Sequence, residues 1–340
     1  MKPITKAAIL MAILVVVFIA GWEIYLRSTG VTLSYDEGKE LWADKRAKVY
    51  KSPATATVFI GSSRIKYDLD IDTWQKLTGR EAIQLAMEGN SPVPILEDLA
   101  ADQRFAGKLV IDVTELVFFS ADDAPVRHEQ KEYLDYYWRR TPAQRASFIL
   151  DHALESQLVF LDKEGLSLNA ELDKLTIPNR PNVFAPPIFP LDFSRVTFDR
   201  QDKMSPRFLA DTSLQHQVQN IWVFLQTAGA AIASQHPSNP TPAIMQQVAV
   251  AVAKIKSRGG EIVFVRTPGS GPMAAGEDKG FPRAKFWEPL LAITQCKGIH
   301  FADDPATAHF VCPEWSHLSP SDAVLYTRAL IGHLPESFVH

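Results

Sequence analysis

Cysteine is nearly missing, with two in 340 residues, too few for a disulfide scaffold or a four-thiolate zinc site. Charge excess is missing as well. Lys and Arg total 35 against 39 Asp and Glu, a net −4 at pH 7. A nucleic-acid surface needs clustered positive charge to displace counterions, so no nucleic-acid partner is expected. The chain has no His-Glu-x-x-His, no paired histidines at zinc spacing, no Walker loop and no Gly-x-Ser-x-Gly elbow. It has no repeat at periods of about 20–50 residues and no low-complexity tract. A hydrophobic share of 46% beside 22% charged residues excludes disorder, collagen and a many-span membrane protein. What remains is a globular chain, long enough for one large domain or two small ones.

One end carries an addition. From Ala7 to Trp22 no residue is charged, and apolar character resumes at Ile24-Tyr25-Leu26. The stretch Ala7–Leu26 approaches the ~20 residues that cross a bilayer, with Glu23 near its far boundary. Lys2 and Lys6 precede it, so the positive-inside rule keeps residues 1–6 in the cytoplasm and sends the remainder to a periplasmic or extracytoplasmic space. The rival is a cleaved signal peptide. Phe18-Ile19-Ala20 before Gly21 puts a large residue at −3, which disfavours cleavage. An uncleaved single-pass anchor at 7–26 is the expectation.

Beyond it, Ser34 and Glu37 have capping-box spacing and predict a stalk or flanking helix from Tyr35 to about Tyr50, within a segment 27–54. Short apolar runs then predict strands at Thr57–Ile60, Ala82–Ala86, Lys108–Asp112, Glu261–Val265 and Ile299–Ala302. Helices are predicted at Asp72–Leu77, Pro92–Arg104, Ala243–Arg258, Phe286–Thr294 and Asp322–His333. Apolar strands alternating with helices indicate an α/β domain, 55–340, whose parallel sheet is covered on both faces. A mostly helical insertion interrupts it at about 121–240. Thr141-Pro142-Ala143-Gln144 starts one of its helices and Thr212–Ser234 forms another, separated by the proline-dense stretch Pro178–Pro190, which excludes regular structure.

Open parallel sheets bind ligands beyond the carboxyl ends of their strands. Gly61-Ser62-Ser63-Arg64, Met87-Glu88-Gly89-Asn90, Thr114-Glu115 and Arg266-Thr267-Pro268 occupy those places, and Glu314-Trp315-Ser316-His317 precedes the last helix. Nucleophile, base, orienter and oxyanion donors would meet on one rim, the inventory of acyl transfer. On these residues, over about 55–118 and 245–333, the chain resembles SGNH (GDSL-type) hydrolases. It is similar in particular to their membrane-anchored envelope members, such as the teichoic acid D-alanylation and alginate O-acetylation proteins. The resemblance implies a flavodoxin-like three-layer fold. It also implies Ser63 as nucleophile, His317 as base and Glu314 as orienter, with Ser63, Gly89 and Asn90 at the oxyanion. Glu314 stands where the family has Asp, and Val113-Thr114-Glu115 replaces its Gly-x-Asn-Asp block.

The expected function is an extracytoplasmic serine esterase or O-acyltransferase on acyl esters of envelope glycans, needing no metal or organic cofactor. A membrane acyltransferase would be a fitting partner. The alternative is a catalytically inactive binding or scaffold module in an envelope polysaccharide modification or export complex. Ser63-Arg64-Ile65-Lys66 also matches the S-x-x-K of penicillin-binding proteins, without their other motifs. Arg64, Arg266, Arg283 and Trp287 are candidate contacts to an anionic or sugar substrate, while Gly269-Ser270-Gly271-Pro272 reads as a flexible rim loop. An oxidising compartment would permit a Cys296–Cys312 disulfide.

Overall fold

The structure, a computed structural model, describes residues 2–122, 124–173, 175, 187–235 and 239–339. Five strands form one sheet: β1 (Ala56–Ile60), β2 (Glu81–Gln84), β3 (Lys108–Asp112), β4 (Glu261–Arg266) and β5 (Lys297–His300). All pairings are parallel and the order is β2-β1-β3-β4-β5. The longer helices, in chain order, are α1 (Pro3–Ser28), α2 (Lys39–Lys48), α3 (Ser63–Asp68), α4 (Ile71–Thr78), α5 (Val93–Ala101) and α6 (His128–Arg139). They continue with α7 (Pro142–Glu155), α8 (Thr212–Gln235), α9 (Thr241–Lys256), α10 (Gly271–Gly280), α11 (Trp287–Thr294) and α12 (Pro320–His333).

Successive strand side chains point to opposite faces, so continuous apolar strands need cover on both. Val58, Ile60, Ile83, Ile111 and Phe264 pack under α2, α5, α9 and α11. Phe59, Val110, Val263 and Val265 pack under α3, α4 and α12. This division disposes of the expected disulfide. Cys296 packs against the first layer and Cys312 belongs to the second, and both thiols are free.

Local signals gave way where side chains found distant partners. The Ser34–Glu37 capping box does not form, because Ser34 Oγ accepts from the Val196 N–H (3.1 Å) and Glu37 pairs with Arg200 and Lys66. α2 therefore starts at Lys39, after an uncapped Gly38, and buries Trp42 and Ala43 in the core. Thr141 and Gln144 do form their reciprocal box at the head of α7, where nothing competes. The expected rim loop at Gly269–Pro272 is the start of α10, with Ser270 at its N-cap. Of the proline-dense stretch, 178–186 lie outside the described residues, and 187–190 have no regular structure.

α1 is long and apolar enough to cross a membrane, and almost none of it is buried. Its foot is docked. The Glu23 carboxylate accepts the N–H groups of Val159 (3.0 Å) and Phe160 (3.1 Å), and Arg27 donates to Glu23 and to the Gln157 carbonyl.

At the carboxyl end of β1 the backbone passes so close to β3 that no side chain fits. A Cβ on Gly61 would lie 2.6 Å from Asp112 Cβ and 2.8 Å from Ile65 Cγ2. That approach lets α3 begin at once, with Ser63 in its first turn. Gly61→Ala is expected to cost about 1–3 kcal/mol through overpacking, read as a fall in the chemical denaturation midpoint. An unchanged midpoint would contradict the tight approach.

Candidate active site

Ser63 enters the rim from the first residue of α3, and His317 and Glu314 from the loop before α12. His317 Nε2 lies 2.8 Å from Ser63 Oγ, and His317 Nδ1 lies 2.9 Å from Glu314 Oε1. Oε1 also accepts the backbone N–H of His317 (2.6 Å), and Oε2 accepts the Trp222 indole N–H. A carboxylate accepting from backbone and indole accepts from Nδ1 too. That leaves Nε2 as the acceptor for the Ser63 hydroxyl. His317 and Glu314 are buried, whereas Ser63 is half-buried. The chain of bonds can draw a proton from Ser63 Oγ onto a histidine whose tautomer is fixed.

The loop holding Glu314 is strained. Trp315, a bulky residue, sits at φ +81°, a region that side chains with a Cβ seldom enter. Two bonds keep it there: its N–H to the Cys312 carbonyl (3.0 Å), and its carbonyl to the Ser270 N–H (2.8 Å). The histidine ring is packed by Tyr67 (centroids 4.4 Å apart), Phe193 (5.7 Å) and Trp222 (5.9 Å). Phe193 and Trp222 come from the insertion, which thereby packs against His317 and bonds Glu314.

Of the expected oxyanion donors, Gly89 turns at φ +64° after β2, and Ser63 holds a first-turn N–H that has no intrahelical partner. Asn90 is a correction. Its amide nitrogen donates to the Glu88 carbonyl (2.8 Å) and to Glu129 (2.7 Å), so both its protons are spent. Thr114 stands at the end of β3, its hydroxyl 2.8 Å from that of Ser62 and 3.1 Å from Asp112.

Trp287, expected at the substrate, is instead buried in the first core layer, and the three arginines expected there are also engaged elsewhere. Arg64 and Arg266 are buried, and both grip Glu277 of α10: Arg64 Nη2 at 2.5 Å and Arg266 Nη2 at 2.6 Å. Arg64 Nε reaches Ser316 Oγ (3.2 Å), and Arg266 Nε reaches Glu115 (2.9 Å). Arg283 forms a two-pronged pair with Asp303 at the surface, at 2.6 and 2.9 Å. Burial disfavours the Glu277 charge, but Arg64 and Arg266 overcome it and hold the carboxyl at about 2. Asp68 goes the other way. Burial lifts it well above the usual carboxylate range, although the Leu318 N–H donates to it at 2.9 Å.

Lys66 is engaged by carboxylates. It is buried among Glu88, Glu37 (3.3 Å) and Asp202 (3.4 Å). Burial alone would lower its pKa, but the carboxylates raise it above the ordinary lysine value. A lysine held charged cannot act as the base of a Ser–Lys pair.

Trp222, Glu277 and Asp68 were not singled out from sequence, having no motif and partners 92, 213 and 250 residues away. No protein-family model matches the chain, and no curated protein matches it.

Two outcomes follow from the geometry. Trp222→Phe strips buried Glu314 Oε2 of its donor and is expected to destabilise the fold by about 1.5–3 kcal/mol, measured by chemical denaturation; unchanged stability would mean that the indole bond contributes nothing. Glu277, depressed in the folded state, contributes stability above its unfolded pKa that is lost as pH falls toward 2. Glu277→Gln should melt lower at pH 7 and lose less on going from pH 5 to pH 3. Asp68 has the opposite sign and is common to both proteins, so the comparison isolates Glu277; parallel acid limbs would contradict the pairing.

Proposed function

We propose that the chain is a membrane-anchored serine esterase or O-acyltransferase of SGNH type, acting outside the cytoplasm on acyl esters of envelope glycans. The observation that carries this reading is the unbroken run from Ser63 through His317 to Glu314, with bonds of 2.8 and 2.9 Å. The strand order, 2-1-3-4-5 along the sheet, is also that of flavodoxin-like folds, and a rim site beyond its strand ends agrees with it.

Ser63 Oγ attacks the ester carbonyl as His317 Nε2 takes its proton. The Ser63 and Gly89 N–H groups hold the oxyanion. His317 then passes the proton to the departing alcohol, leaving an acyl-serine that water or a sugar hydroxyl resolves. Glu314 fixes the tautomer throughout. The chemistry calls for no metal or organic cofactor.

The occupied Asn90 amide favours a second reading, an inactive module that binds glycan or a membrane partner. Aryl acetate hydrolysis by the full chain in detergent separates the two. Turnover should fall at least ~1,000-fold in Ser63→Ala. Activity unchanged by that substitution, or none in the native chain while glycan is still bound, would overturn the esterase.

A further inference from the structure

α7 faces the wrong way for a helix on a watery surface. At 100° per residue Ala143, Ala146, Ile149, Leu150, Ala153 and Leu154 share one side. Ile149 is 65%, Leu150 67% and Leu154 53% exposed, and no residue of the helix is buried. The opposite side turns inward with polar and aromatic groups. His152 stacks on Phe198 with centroids 3.7 Å apart, Phe148 lies along His152, and Glu155 pairs with Lys163 (3.5 Å).

This apolar side lies near the foot of α1. The Leu154 carbonyl accepts the N–H groups of Gln157 and Leu158, both at 3.0 Å. Gln157, Val159 and Phe160 are the residues that grip Arg27 and Glu23 at the foot of α1. The apolar side of α7 thus ends about one turn from the point where the apolar run of α1 ends. Trp22 and Tyr25 stack there, 45% and 55% exposed, the residue types that mark a membrane–water boundary. Arg139, Arg140 and Arg145 flank the other end, with Arg139 paired to Asp135. The side itself has aliphatic groups and alanine, without the Trp, Tyr or Arg anchors of a protein hot spot.

We propose that α7 lies in the interface of the bilayer that α1 spans, with Ile149, Leu150 and Leu154 at the acyl boundary. A spanning helix and a lying one together stop the domain swivelling on its anchor. The proposal rests on α1 as an anchor and is independent of the ester chemistry.

The full chain, on a Cys296→Ala background, is reconstituted in phosphatidylethanolamine–phosphatidylglycerol vesicles. Leu150→Cys, Val15→Cys and Lys76→Cys each receive an environment-sensitive fluorophore. Acyl-brominated lipid should quench the label at 150 several-fold more than the label at 76 on α4, and aqueous iodide should quench it less. Equal iodide access at 150 and 76 overturns the proposal. Shielding of 150 from both quenchers also overturns it, because a second copy of the chain would then be the cover. The label at 15 separates the two readings. Lipid quenching at 15 without it at 150 removes only the lying helix, whereas none at 15 removes the anchor and the proposal together.

Discussion

α3 is six residues long and carries Arg64, Lys66 and Asp68 within a single buried stretch, so each polar group must find its partner in another part of the chain. Arg64 reaches α10 and Ser316. Lys66 gathers Glu37 from the segment before α2, Glu88 from the loop after β2, and Asp202 from the insertion. Tyr67 donates to the Phe193 carbonyl, and Asp68 accepts from Leu318 beside His317. These bonds key α10, the loops after β2 and before α12, the segment before α2 and the insertion to this helix. A helix that short would not persist alone; its partners hold it.

The arrangement is expensive in free energy. Buried ion pairs recover little of their desolvation; burial raises Asp112 and lifts Asp68 and Asp202 well above the usual carboxylate range. Trp315 adds backbone strain at φ +81°. What is obtained is position. Glu314 has its two oxygens already accepting from His317 and Trp222, and groups fixed in advance need no reorganisation in the reaction proposed for Ser63.

Much of this was legible in the sequence, and the reason is local. Continuous apolar strands such as Lys108–Asp112 announce a covered parallel sheet, and the rim residues follow from where such strands end. Glu314 and His317, three residues apart, form their bond within one loop. Features decided by distant contacts were not legible. The spacing of Cys296 and Cys312 says nothing about which side of a sheet each will occupy. Arg64 and Arg266 resemble free surface charge until Glu277 is placed between them. The Ser34–Glu37 pattern is a sound helix start that lost both side chains to partners more than 20 residues away. Trp222 belongs to an insertion that no strand pattern ties to the rim.

The claim at the centre is that the His317 bond makes Ser63 a nucleophile. Intact mass and peptide mapping after treatment of the full chain with a fluorophosphonate test it most directly, because the reagent phosphonylates an activated serine and requires no knowledge of the substrate. The account predicts a single adduct, on Ser63, forming at least ~100-fold more slowly in His317→Ala. An adduct on Ser62 or another serine, no adduct at all, or the native rate in His317→Ala would contradict it.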